Sequence, residues 1–300
     1  MFPASRLAAE PPPPRTSHRS VVVDGLRVAY REAGPADGPV VLLLHGFPSS
    51  SHMFRDLLPR LAATHRVIAP DYPGFGDSDA PAVGDFPYTF AALADLIDAF
   101  TVAVGAERYV IYMQDYGGPV GLRLALAHPE RVRGLVVQNA VANVEGWNPD
   151  VVGQIAPYWK DRTAATETAV RTLLTPETTR FQYVHGETRA ERLSPDAWIR
   201  DQAGLDRPGN DAIQLEMLFD YRDNVAQYPF WKTWLETRRP QMLIVWGRND
   251  PFFTTAGVDY FRELVPTAEV HLYDAGHFAL ETHVDEIATE MLDFLGRLAD

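Results

Sequence analysis

Two aspartates and a histidine, Asp115, Asp250 and His277, each follow shortly on an apolar run and lie beside glycine or proline. A carboxylate so placed can attack carbon, and an imidazole can move protons near neutral pH. The surroundings of Asp115 say most. In YVIYMQDYGGPVGLRLALA, the run Tyr109–Met113 reads as a buried strand, and Gly117, Gly118 and Pro119 open a segment whose apolar positions Val120, Leu122, Leu124 and Leu126 suit a helix. A strand-to-helix turn this tight leaves Asp115 projecting at the helix N-terminus, where the helix dipole and the free N–H groups favour its ionised form. The plain alternative makes Asp115 an N-cap. A carboxylate attacking an ester would give an anhydride, a poor intermediate, whereas attack on a saturated carbon gives an ordinary ester. The chemistry therefore points to a carbon bearing a halide or an epoxide oxygen.

The elements that must hold these residues can be read from the apolar pattern. Val21–Val23 and Leu26–Tyr30 flank an Asp24-Gly25 turn and read as a hairpin. Val40–Leu44, Arg66–Ala69, Tyr109–Met113, Val132–Val137, Gln241–Trp246 and Glu269–Tyr273 are short buried strands, and Met53–Ala63, Phe90–Val104 and Glu286–Leu298 have helical spacing. Strand and helix alternate, which predicts a mostly parallel, doubly wound α/β sheet whose ligands sit at the C-terminal strand edge. The Val40–Leu44 run ends in His45-Gly46-Phe47-Pro48, a loop that aims the Phe47 N–H into the same space, with His45 structural. Residues 141–237 lose the strand runs and are rich in Trp and Tyr.

The chain has 300 residues, 46% of them hydrophobic, a net charge of −13 and no cysteine. Such an acidic chain argues against nucleic acid or an anionic membrane as partner, because nothing would neutralise phosphates. A small neutral organic substrate and water fit better. Without cysteine there are no disulfides and no thiolate chemistry, and no metal or other cofactor is expected. Residues 1–20, with four prolines in a row, are expected to form a disordered tail. No run approaches the roughly 20 apolar residues of a membrane helix. A cytoplasmic protein is the expectation.

The turn around Asp115 resembles the nucleophile elbow of the α/β-hydrolase fold, with Asp in the position usually held by Ser and Met113 where the motif prefers Gly. That points to the epoxide hydrolase and haloalkane dehalogenase branch of the family. His45-Gly46-Phe47-Pro48 resembles its H-G-x-P loop, and Asp71 to Ser78 its D-x-x-G-x-G-x-S loop, where a structural role is expected. The order Asp115, Asp250, His277 matches nucleophile, acid and histidine. The resemblance implies an α/β-hydrolase core over residues 21–140 and 238–300 and an inserted helical cap over 141–237. It also implies that the backbone N–H groups of Phe47 and Tyr116 form the oxyanion hole. Glu145 is the rival to Asp250, because some relatives draw their acid from that region.

The cap has to separate epoxide from halide. An epoxide alkoxide needs a proton, which a Tyr O–H can give, whereas a halide needs only N–H or O–H dipoles. Tyr221-Arg222 resembles the Tyr-Arg segment of epoxide hydrolase caps, and Tyr158-Trp159 lies where the first cap Tyr would fall; fluoroacetate dehalogenases have aromatic halide-binding residues at similar positions. Phe47 looks more like the epoxide hydrolases, and Tyr116 stands where haloalkane dehalogenases carry Trp. Epoxide hydrolysis is the first expectation, dehalogenation the second, and non-catalytic binding on the same fold the third.

Overall fold

The computed structural model describes residues 15–298. Strands β1 (Ser17–Val23), β2 (Leu26–Ala33), β3 (Val40–Leu44), β4 (Arg66–Pro70), β5 (Tyr109–Gln114), β6 (Val132–Gln138), β7 (Met242–Gly247) and β8 (Glu269–Tyr273) form one sheet in the order β1-β2-β4-β3-β5-β6-β7-β8. The first two strands join antiparallel, and every pairing from β4 to β8 is parallel. All residues of β3, β5 and β7 are buried. An unbroken apolar run has no polar face to show, so it is stable only with helices on both sides, each buried Val or Leu contributing about 1.5–3 kcal/mol.

The helices are α1 (Leu58–Leu61), α2 (Phe90–Ala103), α3 (Gly117–Ala127), α4 (Pro149–Lys160), α5 (Ala164–Arg171), α6 (Pro176–Val184), α7 (Pro195–Leu205), α8 (Asn210–Arg238), α9 (Ala256–Leu264) and α10 (Leu280–Arg297). Successive side chains of β3 alternate between faces: Leu42 and Leu44 pack with Leu93 of α2 and Val120 of α3, whereas Val41 and Leu43 pack with Leu58 of α1 and Met291 of α10. Helices α4 to α8 fill the interval between β6 and β7, and α8, the longest at 29 residues, carries Pro229 inside it. Trp147, Tyr221, Tyr228 and Trp231 from this segment join the same apolar cluster as the sheet, so the helical segment and the core share one interior.

Three expectations change. Ser17–Ser20, assigned to the tail, are the first half of β1, paired to β2 from Ser17 opposite Glu32; the rest of the tail, residues 1–14, lies outside the described residues. Met53–Ala63 is not one helix but a 3-10 turn, Ser51–Phe54, and the single turn α1. Pro59 has no N–H to bond back into the preceding turn, so the spacing is helical but the ladder is interrupted. The last helix starts at Leu280, not Glu286, and His283 (φ −126°, ψ 25°) marks a kink between its two parts.

Candidate active site

Asp115 sits one residue beyond β5 at φ +49°, a left-handed conformation that costs a non-glycine residue energy. Its neighbours explain how the turn survives. A Cβ on Gly117 would lie 2.2 Å from the Leu44 carbonyl oxygen, so only glycine lets α3 approach β3 this closely. Met113, the bulky departure from the motif, is fully buried, and its sulfur would lie 3.2 Å from a Cβ on Gly121. The missing side chain one turn into α3 makes the room.

Opposite the elbow, Gly46 again has no space: a Cβ there would be 2.3 Å from Asp115 Cβ. The Phe47 N–H donates to Asp115 Oδ1 at 2.6 Å across a loop whose Phe47–Pro48 peptide is cis, and the Tyr116 N–H donates to the same carboxylate. His45 accepts the Tyr72 N–H on Nε2 at 3.3 Å and is fully buried, and burial pushes it down to about 4, so it stays neutral and structural. Asp71 accepts the N–H groups of Ser51 and Asp77, while the Ser78 hydroxyl donates to the Asp71 carbonyl. These residues hold the loops behind the site.

His277 lies at the C-terminal strand edge with Asp250 and Asp115. Its Nδ1 is 2.8 Å from Asp250 Oδ2 and its Nε2 is 4.0 Å from Asp115 Oδ2. Nδ1 therefore carries the proton shared with Asp250, and Nε2 faces the other carboxylate. Glu145 does not reach the histidine: it is exposed and accepts from the Asn143 amide. A residue that sequence reasoning missed holds Asp250 in place. Asn139, fully buried at φ +43°, donates from Nδ2 to Asp250 Oδ2 at 2.7 Å, and its Oδ1 accepts the Gly247 N–H. Its carbonyl accepts the Asp115 N–H, so one residue ties the Asp115 turn to Asp250. The only hint in the sequence was an Asn at a strand end, a residue type that tolerates left-handed backbone.

Burial raises Asp115 to about 6, against the opposing pull of His277 and the two N–H groups. Burial would lower His277, but the Asp250 carboxylate, through its charge and hydrogen bond, and then Asp115 more than offset it, and the net direction is upward.

A cavity of about 50 Å³ opens on Asp115 and His277, lined also by Phe47, Tyr116, Trp147 and Tyr221. The hydroxyl of Tyr116 is buried without a hydrogen-bond partner, and that of Tyr221 is buried against the hydroxyl of Tyr228, whose oxygen accepts the Trp147 N–H. The structure does not bring Tyr158 or Trp159 into this cavity. Tyr158 donates to the Leu215 carbonyl and Trp159 to the Leu218 carbonyl, both on α8, so their donors hold helices together; Trp159 contributes by stacking on Tyr221 at 5.9 Å. A larger polar cleft of about 520 Å³, along Ser49, Gly74 to Ser78 and α7, contains none of the three residues Asp115, Asp250 and His277. Among the described residues no cluster could hold a metal ion, and no helix is long and apolar enough to cross a membrane.

Residues 39–284, the stretch that holds Asp115, Asp250 and His277, match the alpha/beta hydrolase fold family. The chain belongs to that family. It is 40% identical to an uncharacterized hydrolase of Saccharomyces cerevisiae over 92% of this chain and 95% of the other. A haloalkane dehalogenase of Bradyrhizobium diazoefficiens is 33% identical over 61% of this chain and 57% of its own. Among solved structures, the haloalkane dehalogenase DatA of Agrobacterium tumefaciens superposes with a TM-score of 0.78 at 24% identity, covering 95% of this chain and 97% of its own. The epoxide hydrolase CorEH does so with a TM-score of 0.73 at 18% identity, covering 95% and 100%.

Proposed function

We propose that this hydrolase opens small, neutral epoxides to diols through an aspartyl alkyl-enzyme ester. The observation that carries the reading is the pair of buried phenols, Tyr221 beside Tyr228 and the unpartnered Tyr116, lining the same cavity as Asp115. A buried hydroxyl without a partner costs about 1–3 kcal/mol, which a substrate oxygen accepting from it would recover. Asp115 attacks one epoxide carbon, the C–O bond breaks, and a phenol gives its proton to the departing alkoxide. His277 Nε2 then takes a proton from water, whose oxygen bonds to the Asp115 carboxyl carbon. The Phe47 and Tyr116 N–H groups hold the resulting oxyanion. Collapse breaks the ester bond and expels the alkyl oxygen, which takes the proton from His277 as the diol leaves, and the Asp115 carboxyl, which now carries the water's other proton, returns it to the phenolate.

Dehalogenation is the second reading, supported by the 33% identity to a haloalkane dehalogenase and by the same two O–H dipoles, which would stabilise a departing halide. Both readings share the ester intermediate. Intact-protein mass spectrometry of His277→Gln after exposure to a panel of epoxides and haloalkanes separates them. The expected adduct has the mass of a whole epoxide; an alkyl mass without its halogen would install the second reading. No adduct on a folded variant would remove both.

A further inference from the structure

Gln114, the last residue of β5 and the one preceding the nucleophile, is fully buried beside the base. Its Nε2 lies 2.9 Å from His277 Nε2, nearer than either Asp115 oxygen. Because Nδ1 holds the proton shared with Asp250, the Gln114 N–H donates into the lone pair that must receive the proton of water. Its other end is idle: Gln114 Oε1 is buried with no hydrogen-bond partner. That oxygen and Asp115 Oδ1 lie 2.6 and 2.5 Å from the same point, where a Cβ on Gly46 would be, so the amide reaches toward base and nucleophile together.

An amide is one of the few side chains that can serve both states of an imidazole. Its N–H donates to the neutral ring, and its carbonyl accepts from the protonated ring. Rotation about the last side-chain bond exchanges the two. Resting on the aspartyl-ester reading above, we propose that Gln114 is a positioning residue for water activation. It holds His277 Nε2 before the step and, turned over, accepts the N–H that Nε2 acquires when water loses its proton to His277 and its oxygen bonds to the Asp115 carboxyl carbon. The acceptor idle in the resting enzyme is the one the imidazolium needs. The charged groups facing His277 are Asp250, beyond β7, and Asp115, beyond β5, while Phe252, Phe253 and Phe278 pack against its ring. In the ester intermediate Asp115 is alkylated and does not titrate. The acid limb of ester hydrolysis then reports His277 against Asp250 and Gln114 alone.

Gln114→Met preserves length and removes both polar ends; Gln114→Glu keeps the acceptor and removes the donor. Single-turnover kinetics should give an alkylation rate within about threefold of wild type for Gln114→Met. Ester hydrolysis should slow by roughly tenfold or more, the scale of one hydrogen bond to a charged group, and because the bond to the imidazolium is stronger than the one to the neutral ring, its acid limb should move to lower pH. Gln114→Glu should move that limb to higher pH. Both half-reactions slowed alike, or a hydrolysis step unchanged in rate and pH in a folded Gln114→Met, would overturn the proposal. Histidine NMR needs no substrate and separates this failure from that of the ester reading. In the Asp115→Asn background the His277 titration should fall on adding Gln114→Met, and an unmoved titration would overturn the role of Gln114 whatever the substrate proves to be.

Discussion

Asp115 is asked to be an anion in a place that resists charge. Burial pushes it up to about 6, and in the mechanism proposed above only the ionised form attacks carbon, so alkylation should fall as pH drops through about 6, about two units above where an exposed aspartate would fail. Rapid-quench measurement of alkyl-enzyme formation between pH 4 and 8 checks this, and a limb near 4 would contradict it. Gly46 belongs to the same scale. Gly46→Ala would put a methyl group 2.5 Å from Asp115 Oδ1, so the carboxylate has to move off the Phe47 N–H. Alkylation should drop by roughly a hundredfold, the scale of losing one oxyanion-type donor together with alignment, with a smaller loss of stability. Tyr221→Phe should slow ring opening of epoxides and leave ester hydrolysis near wild type, read by the same single-turnover experiment.

At the scale of elements, the site depends on how closely α3 can lie on the sheet. The strand ends are aligned by register, with Leu44 beside Met113, Gln114 beside Gln138 and Gly247 beside Tyr273, and the loops that follow them converge for that reason. Gly117→Ala would drive a methyl group against the Leu44 carbonyl, and backbone cannot swing aside as a long side chain can. The expected loss is roughly 2–4 kcal/mol, read by denaturant unfolding. This level was largely legible beforehand, because apolar runs bounded by glycine and proline are local signals. The misread elements had local causes as well: Pro59 interrupts a helical spacing, and the kink at His283 conceals the first turns of α10.

Across the whole molecule, the helical segment is fastened to the core by hydrogen bonds and a stacked ring pair. The Tyr183 hydroxyl donates to Asp201 on α7, and Tyr183 stacks on Phe278, next to His277, at 4.0 Å. The Gly276 N–H donates to Glu187 at 3.0 Å, and Asn249 Nδ2 donates to the Gly186 carbonyl at 2.9 Å, so the loop after α6 grips the loops of His277 and Asp250. Burial raises Asp201 to about 8. The unfolded chain ionises it near 4, so its contribution to stability is complete below about pH 4 and is lost as pH rises through about 8. Asp201→Asn is uncharged throughout and can still accept from Tyr183. Its unfolding free energy should fall less between pH 4 and 8 than that of wild type, and the variant should be the more stable at pH 8; equal slopes in denaturant titrations would refute the assignment.

From residue order alone came the sheet, the elbow, and the trio Asp115, Asp250 and His277, because each depends on a run of neighbours and on a turn that only certain residues can make. What lay beyond it was decided by partners far apart in the chain. Gln114 meets His277 across 163 residues and Asn139 meets Asp250 across 111, and no local pattern marks such pairs. Tyr221 and Tyr158 look alike in sequence, both cap tyrosines among apolar residues. Packing separated them, since the Leu215 carbonyl takes the hydroxyl of Tyr158, whereas Tyr221 lines the cavity with Asp115 and turns its hydroxyl to Tyr228. A donor's availability is set by what else lies within hydrogen-bond reach, and only the folded chain determines that.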